Sequence, residues 1–164
     1  MRRWWLAVGG IVLGIVGGTA AFALRAPAPP PPGGFVAQTF EELDPSAVWV
    51  RLEGTAHYEA RLTQREPASL LAPERTRYVF GFFPVNDTSD REIPVLVRTS
   101  RPPERLVSFE TMTVEGHLHP ITRRDLPPEA ETMFGERSGY FFADRVLLLD
   151  AVRVVSEDGT FEEP

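Results

Sequence analysis

His117 and His119 are the residues whose type and spacing come nearest to chemistry in this chain. They close the segment Thr111–His119 (TMTVEGHLH), in which apolar and polar residues alternate. In an extended strand, residues two apart share a face, with side chains roughly 7 Å apart. Two imidazoles so placed could join a metal or haem site if a third donor came from elsewhere. A His-x-His pair on an outward face is also ordinary solvated surface, and neither an HExxH helix nor a cysteine cluster accompanies it. His57 is a poor third ligand. If the first and fourth strands pair antiparallel with Gly54 near Val114, His57 faces Thr111 and His119 faces Trp49. The two histidines are then roughly 25 Å apart.

The other reactive side chains form no catalytic set. Glu53, Glu59, Glu110 and Glu115 alternate outward on strands, where solvated charge belongs. The serines lie in no Gly-x-Ser-x-Gly turn, and the glycine-rich stretch is apolar and carries no phosphate-binding signature. We assign no catalytic or cofactor-binding residue and expect no enzyme activity. Two groups remain. Tyr78, Phe80, Phe82, Phe83, Phe134, Tyr140, Phe141 and Phe142 read as core filling, with base or sugar stacking as the alternative. Arg98, Arg101, Arg105, Arg123 and Arg124 could form an anion or partner patch, with Glu104 and Asp125 as nearby salt-bridge partners.

The elements that would position these residues are mostly strands. Val48, Val50, Leu52, Gly54 and Ala56 alternate with polar or larger residues, which reads as a half-buried strand. Arg77–Val85 is a second strand and Glu92–Thr99 a third, where Pro94 marks an edge or the strand start. Thr111–His119 is a fourth, with Met112, Val114, Gly116 and Leu118 inward. Tyr140–Val155 supplies a fifth, or two short ones. Arg101–Val107 reads as a turn with one helical turn. Phe35–Leu43 and Leu126–Phe134 read as short helices, and Ser156–Pro164 as an acidic, frayed tail. The expected domain is mainly β, a small five-stranded OB-like barrel over residues 35–155 with one or two short helices. An open sandwich is the alternative. Closure disposes of the two exposed edges of an open sheet, and glycines 54, 81 and 116 suit sharply bent strands.

Composition places that barrel. The chain has 164 residues, 43% hydrophobic, with no cysteine and no lysine. This is one domain's worth of sequence without disulfides or thiolate chemistry. Trp4–Leu24 carries no charge. As a helix it would span roughly 31 Å, the thickness of a bilayer's hydrocarbon core. Trp4 and Trp5 sit where indoles favour the interface, and Arg2 and Arg3 precede them, predicting a cytoplasmic N-terminus and an exported remainder. Gly10, Gly14 and Gly18 have the spacing that lets a second helix approach. Residues 1–25 thus read as a single-pass anchor in the inner membrane, or as a signal peptide cleaved after Ala23. Residues 26–34 (APAPPPPGG) read as a semi-rigid spacer. From Ala26 onward, 14 arginines face 23 acidic residues, a net charge of −9. That balance opposes nucleic-acid binding.

The order of anchor, spacer and exported five-stranded barrel resembles the CcmE-like haem chaperones of cytochrome c maturation. The local likeness lies in Val50–Gly54 (VRLEG), Met112–Leu118 (MTVEGHL) and Phe142–Leu148 (FADRVLL). The resemblance implies an OB-type barrel. That family holds haem through a His-x-x-x-Tyr motif after the last strand, whereas Ala151–Pro164 here has neither histidine nor tyrosine. The expected function is therefore a non-catalytic interaction module in the periplasm or its equivalent, an accessory subunit or assembly factor of a membrane complex. A haem or metal chaperone using His117 and His119 is the alternative.

Overall fold

The structure, a computed structural model, describes residues 34–68, 73–85, 87, 91–103, 108–127, 129–136 and 138–164. The expected anchor with Trp4, Trp5, Gly10, Gly14 and Gly18 lies outside them, as do residues 26–33 of the spacer and residues 104–107. Among the described residues no helix is long and apolar enough to cross a membrane.

Seven strands follow in chain order: β1 (Val36–Gln38), β2 (Trp49–Glu66), β3 (Arg75–Phe83), β4 (Glu92–Thr99), β5 (Phe109–Thr122), β6 (Phe141–Ser156) and β7 (Gly159–Glu162). Five of them close a barrel. β2 pairs antiparallel with β3, β3 with β4, β6 with β5 and β5 with β2, while β4 and β6 run parallel. Closure leaves β4 with a neighbour on each side, so Pro94 marks the strand's first residues and not an edge. It falls at the irregularity between Ile93 and Val95 in the β4–β6 ladder and has no β3 partner, so its missing N–H interrupts neither ladder.

Alternation builds the interior. Val50, Leu52 and Ala56 of β2, Phe80 and Phe82 of β3, Val95 and Val97 of β4, Met112, Val114 and Leu118 of β5, and Leu149 and Ala151 of β6 form one buried cluster. Val48, expected as the first inward residue, precedes β2 and is exposed, while Trp49 is buried. A second core lies on the opposite faces of the same strands. There Val79, Phe83, Leu96, Val146 and Leu148 pack against Ala130, Phe134 and Tyr140. The short helix expected at Leu126–Phe134 runs over residues 129–136, its π-type part at Glu131–Glu136. It anchors this second core through Phe134, whose ring meets Phe142 edge-on at 5.1 Å.

Register shifts move strands between the two cores. The β2–β3 ladder slips between His57 and Arg61, so Tyr58 faces the barrel while Ala60 and Leu62 face the second core. An extra residue opposite a strand reverses which face the following side chains occupy. This is why one 18-residue strand serves both cores.

Both ends of the domain differ from expectation. Phe35–Leu43 is not one helix but strand β1, parallel to Val50–Leu52, followed by a 3-10 turn at Phe40–Glu42. The acidic tail is not frayed: β7 pairs with Arg153–Ser156 of β6. Its charge alone suggests solvation, whereas Glu163 has partners brought from β3 and β4.

Candidate functional site

His117 and His119 sit on the barrel wall with one neighbour that sequence reasoning missed. The β5–β6 register sets His117 opposite Asp150, and the parallel β4–β6 register sets Asp150 beside Arg98. On the other side, β2 sets Trp49 opposite His117. One rung across four strands therefore reads Arg98, Asp150, His117, Trp49. The Nδ1 atoms of His117 and His119 are 3.1 Å apart. His119 Nδ1 lies 3.9 Å from Asp150 Oδ2, and one donor atom from each of the three residues falls within 4.8 Å of the others. The only sequence signal for Asp150 is its isolation as a charge inside the apolar run Leu147–Ala151.

The surroundings fix this group. Arg98 donates to both carboxylate oxygens of Asp150, through Nε to Oδ1 and through Nη2 to Oδ2 at 2.8 Å. Such a two-point pair orients the carboxylate. The Trp49 indole meets the His117 ring edge-on at 5.3 Å, and Phe35 meets Trp49 at 6.0 Å. Burial pushes the His119 imidazole below its ordinary value. Asp150 opposes that shift, and His117 and Arg98 add to it. His119 is thus neutral near pH 7, with a lone pair for a shared proton or a cation.

No protein-family model, curated protein or solved structure matches this chain.

The β2–β5 register differs by two residues from the expected one, since Gly54 pairs with Met112 rather than Val114. His57 accordingly lies opposite Phe109, eight residues along β2 from the His117 rung. It is also not a solvated outward residue. Only 2% exposed, it stacks on Phe83 at 4.0 Å and its Nδ1 lies 2.9 Å from the Tyr140 hydroxyl. The second core covers what alternation alone would leave wet.

Burial is the main cause that lowers the His57 pKa, against the pull of Asp87 and Glu59. Its Nε2 is buried without a partner among the described residues. The unfolded chain therefore takes up a proton near the ordinary histidine value of about 6.5, where the folded chain resists it. Stability should fall as pH drops below about 6.5, by up to about 1.4 kcal/mol per unit for this residue, until the folded state also protonates. Above that pH the residue contributes no slope. Denaturant titrations of His57→Phe at pH 5 and 7.5 should show a smaller acid loss than the unsubstituted protein. His119, shifted in the same direction, contributes to the acid loss that remains. Equal losses in both proteins would show that His57 is not the group responsible.

The other charged candidates are held by partners from distant strands. Glu115, expected outward and solvated, is 1% exposed, and its carboxylate accepts from Arg51 and Arg153. Those guanidinium groups flank it from β2 and β6, beside the register shift of the β5–β6 ladder, where Val152 is the extra residue. Glu110, also expected outward, accepts from Tyr58 and from Arg101, whose Nη2 lies 2.7 Å from Oε1. Burial would raise its carboxyl, but hydrogen bonds from Arg101, Tyr58 and Ser156 hold it below the ordinary value. Glu53 and Glu59 are exposed as expected. Of the arginine patch, Arg98 pairs with Asp150, Arg101 with Glu110, and Arg123 donates to the Phe142 carbonyl at 2.6 Å. Arg105 and Glu104 lie outside the described residues, and Asp125 accepts from Thr122 instead of an arginine. Of the aromatic set, Phe80, Phe82, Phe83, Phe134, Tyr140 and Phe142 are buried, Tyr78 is half-buried and Phe141 is 53% exposed.

Proposed function

We propose that this chain is a membrane-tethered, extracytoplasmic interaction module: an accessory or assembly subunit that presents its barrel to a membrane protein complex. One observation supports this most. Among the described residues, β1 and β7 each have a sheet neighbour on one side only, and each lies where apolar side chains reach solvent. Val36 of β1 is 56% exposed, and Val155, paired with Thr160 of β7, is 36% exposed. A short strand with an open edge beside apolar surface suits addition of a partner's strand. β1 also directly follows the proline-rich spacer and is bonded into the barrel, so any tether would hold the barrel at this edge.

The barrel is of OB type on this reading. The strand order β2-β3-β4-β6-β5, closing on β2 with β4 and β6 parallel, supports it. The likeness to the haem chaperones goes no further than architecture, since the segment after β6 carries no histidine or tyrosine. The anchor, the inner-membrane address and the complex partner rest on Trp4–Leu24 and its flanking arginines.

Gentle detergent extraction from native membranes, followed by mass spectrometry of what stays bound, tests the reading. A stoichiometric set of membrane proteins is expected, lost when Val36 and Val155 are both replaced by Asp. A protein that runs alone from native membranes would overturn it.

A further inference from the structure

Beyond partner docking, we infer that His117, His119 and Asp150 bind a first-row divalent metal ion, zinc or a neighbour of similar softness, on the outer wall of the barrel. Geometry carries this. An ion held about 2.0–2.1 Å from two tetrahedral donors places them roughly 3.3–3.4 Å apart. The two Nδ1 atoms already stand 3.1 Å apart, close to the bite of a chelating pair. Asp150 Oδ2 lies 3.9 Å from His119 Nδ1, and one donor atom from each of the three residues falls within 4.8 Å of the others, so completing a third ligand at that spacing asks for a closure of about 0.5 Å toward His119 and of up to about 1.5 Å toward His117.

The donors suit this class of ion. Two imidazoles and one carboxylate favour borderline divalent ions over calcium or magnesium, which take oxygen donors, and over soft copper(I), which takes sulfur. The supports behind the donors are also in place. Oδ2 accepts the Arg98 proton with one lone pair and has a second to offer, and a hydrogen-bonded carboxylate is the usual partner in such sites. Trp49 holds the His117 ring from the side away from Asp150. The side chains of His119 and Asp150 are 32% and 18% exposed, so a fourth coordination position opens to water or to a donor from a docked partner. Arg98 acts in two directions. It orients Asp150, and its charge opposes the ion, so affinity is set below what the three ligands alone would give.

The test is a zinc titration of the full chain in detergent micelles at pH 7.5, followed by calorimetry and by nitrogen-15 histidine spectra. One equivalent of zinc is expected. His117→Gln and His119→Gln should each weaken it at least about tenfold and Asp150→Asn about tenfold, as loss of a ligand or its support does. In the unsubstituted chain, zinc should shift the ring-nitrogen signals of His117 and His119 and leave those of His57 in place, a readout that needs no variant to fold. Absence of stoichiometric binding, binding unchanged in the His117→Gln/His119→Gln double variant, or a response confined to His57 would each overturn the inference.

Discussion

Replacing Gly116 by alanine is expected to cost about 3 kcal/mol or more and to lower the melting temperature by roughly 10 °C. Gly116 sits at the bulge where the β5–β6 register jumps, next to the Asp150–Ala151 peptide of the facing strand. A Cβ there would lie 2.8 Å from the Asp150 carbonyl carbon, nearer still to its oxygen, and 3.1 Å from the Ala151 Cα. All three obstacles are backbone, so no rotamer change relieves them. The strand itself would have to move, opening the ladder on which His117, Asp150 and Glu115 depend. Gly135 supplies the control: a Cβ there meets nothing closer than the Tyr140 carbonyl at 3.7 Å. Gly135→Ala should therefore be close to neutral. Thermal unfolding of the two variants checks the pair. If Gly116→Ala melts with the unsubstituted protein, the close approach of β5 to β6 is wrong.

Glu163→Ala is expected to cost about 3 kcal/mol, because it empties a charged hub near the C-terminus. Its carboxylate accepts from Arg77 Nη1 at 2.8 Å, from the Ser100 amide and hydroxyl at 2.7 Å each, and from the Thr99 hydroxyl. Thr99 is 1% exposed and the Arg77 and Glu163 side chains are 16% and 8% exposed, so little water can replace the lost partner. A buried donor left unmade costs about 1–3 kcal/mol, and this substitution strands several at once, though their costs do not simply add. Glu162→Ala is the comparison. Its carboxylate side chain is 65% exposed and meets Arg153 at 3.9 Å, so its removal should change stability by less than about 1 kcal/mol. Denaturant titration of both variants separates a structural C-terminal strand from a solvated acidic tail. Equal, small effects would mean that β7 is not held as described.

Glu163 and Glu162 are the same residue type in the same acidic run, and only the long-range partners of Glu163 distinguish them. Glu115 and Glu53 likewise share an outward phase on their strands, yet one is sealed by Arg51 and Arg153 and the other is exposed. His57 shares its strand face with Arg51 and Glu53, which are exposed, yet it is buried. Simple alternation assumes one covered face, whereas the helical turn around Phe134 covers a second.

What the sequence determined by itself is what period and composition control. It determined the mainly β character, the five barrel strands with their inward residues on β5, and the pairing of His117 with His119 on one face. Each follows from local geometry, because a strand repeats every two residues whatever it packs against. Only the tertiary structure decided the registers between strands. Register is set by many weak cross-strand contacts and by bulges that insert residues without a local signature. Those registers bring Asp150 to the histidines, Arg98 to Asp150 and Glu163 to Ser100, across separations that no sequence pattern encodes.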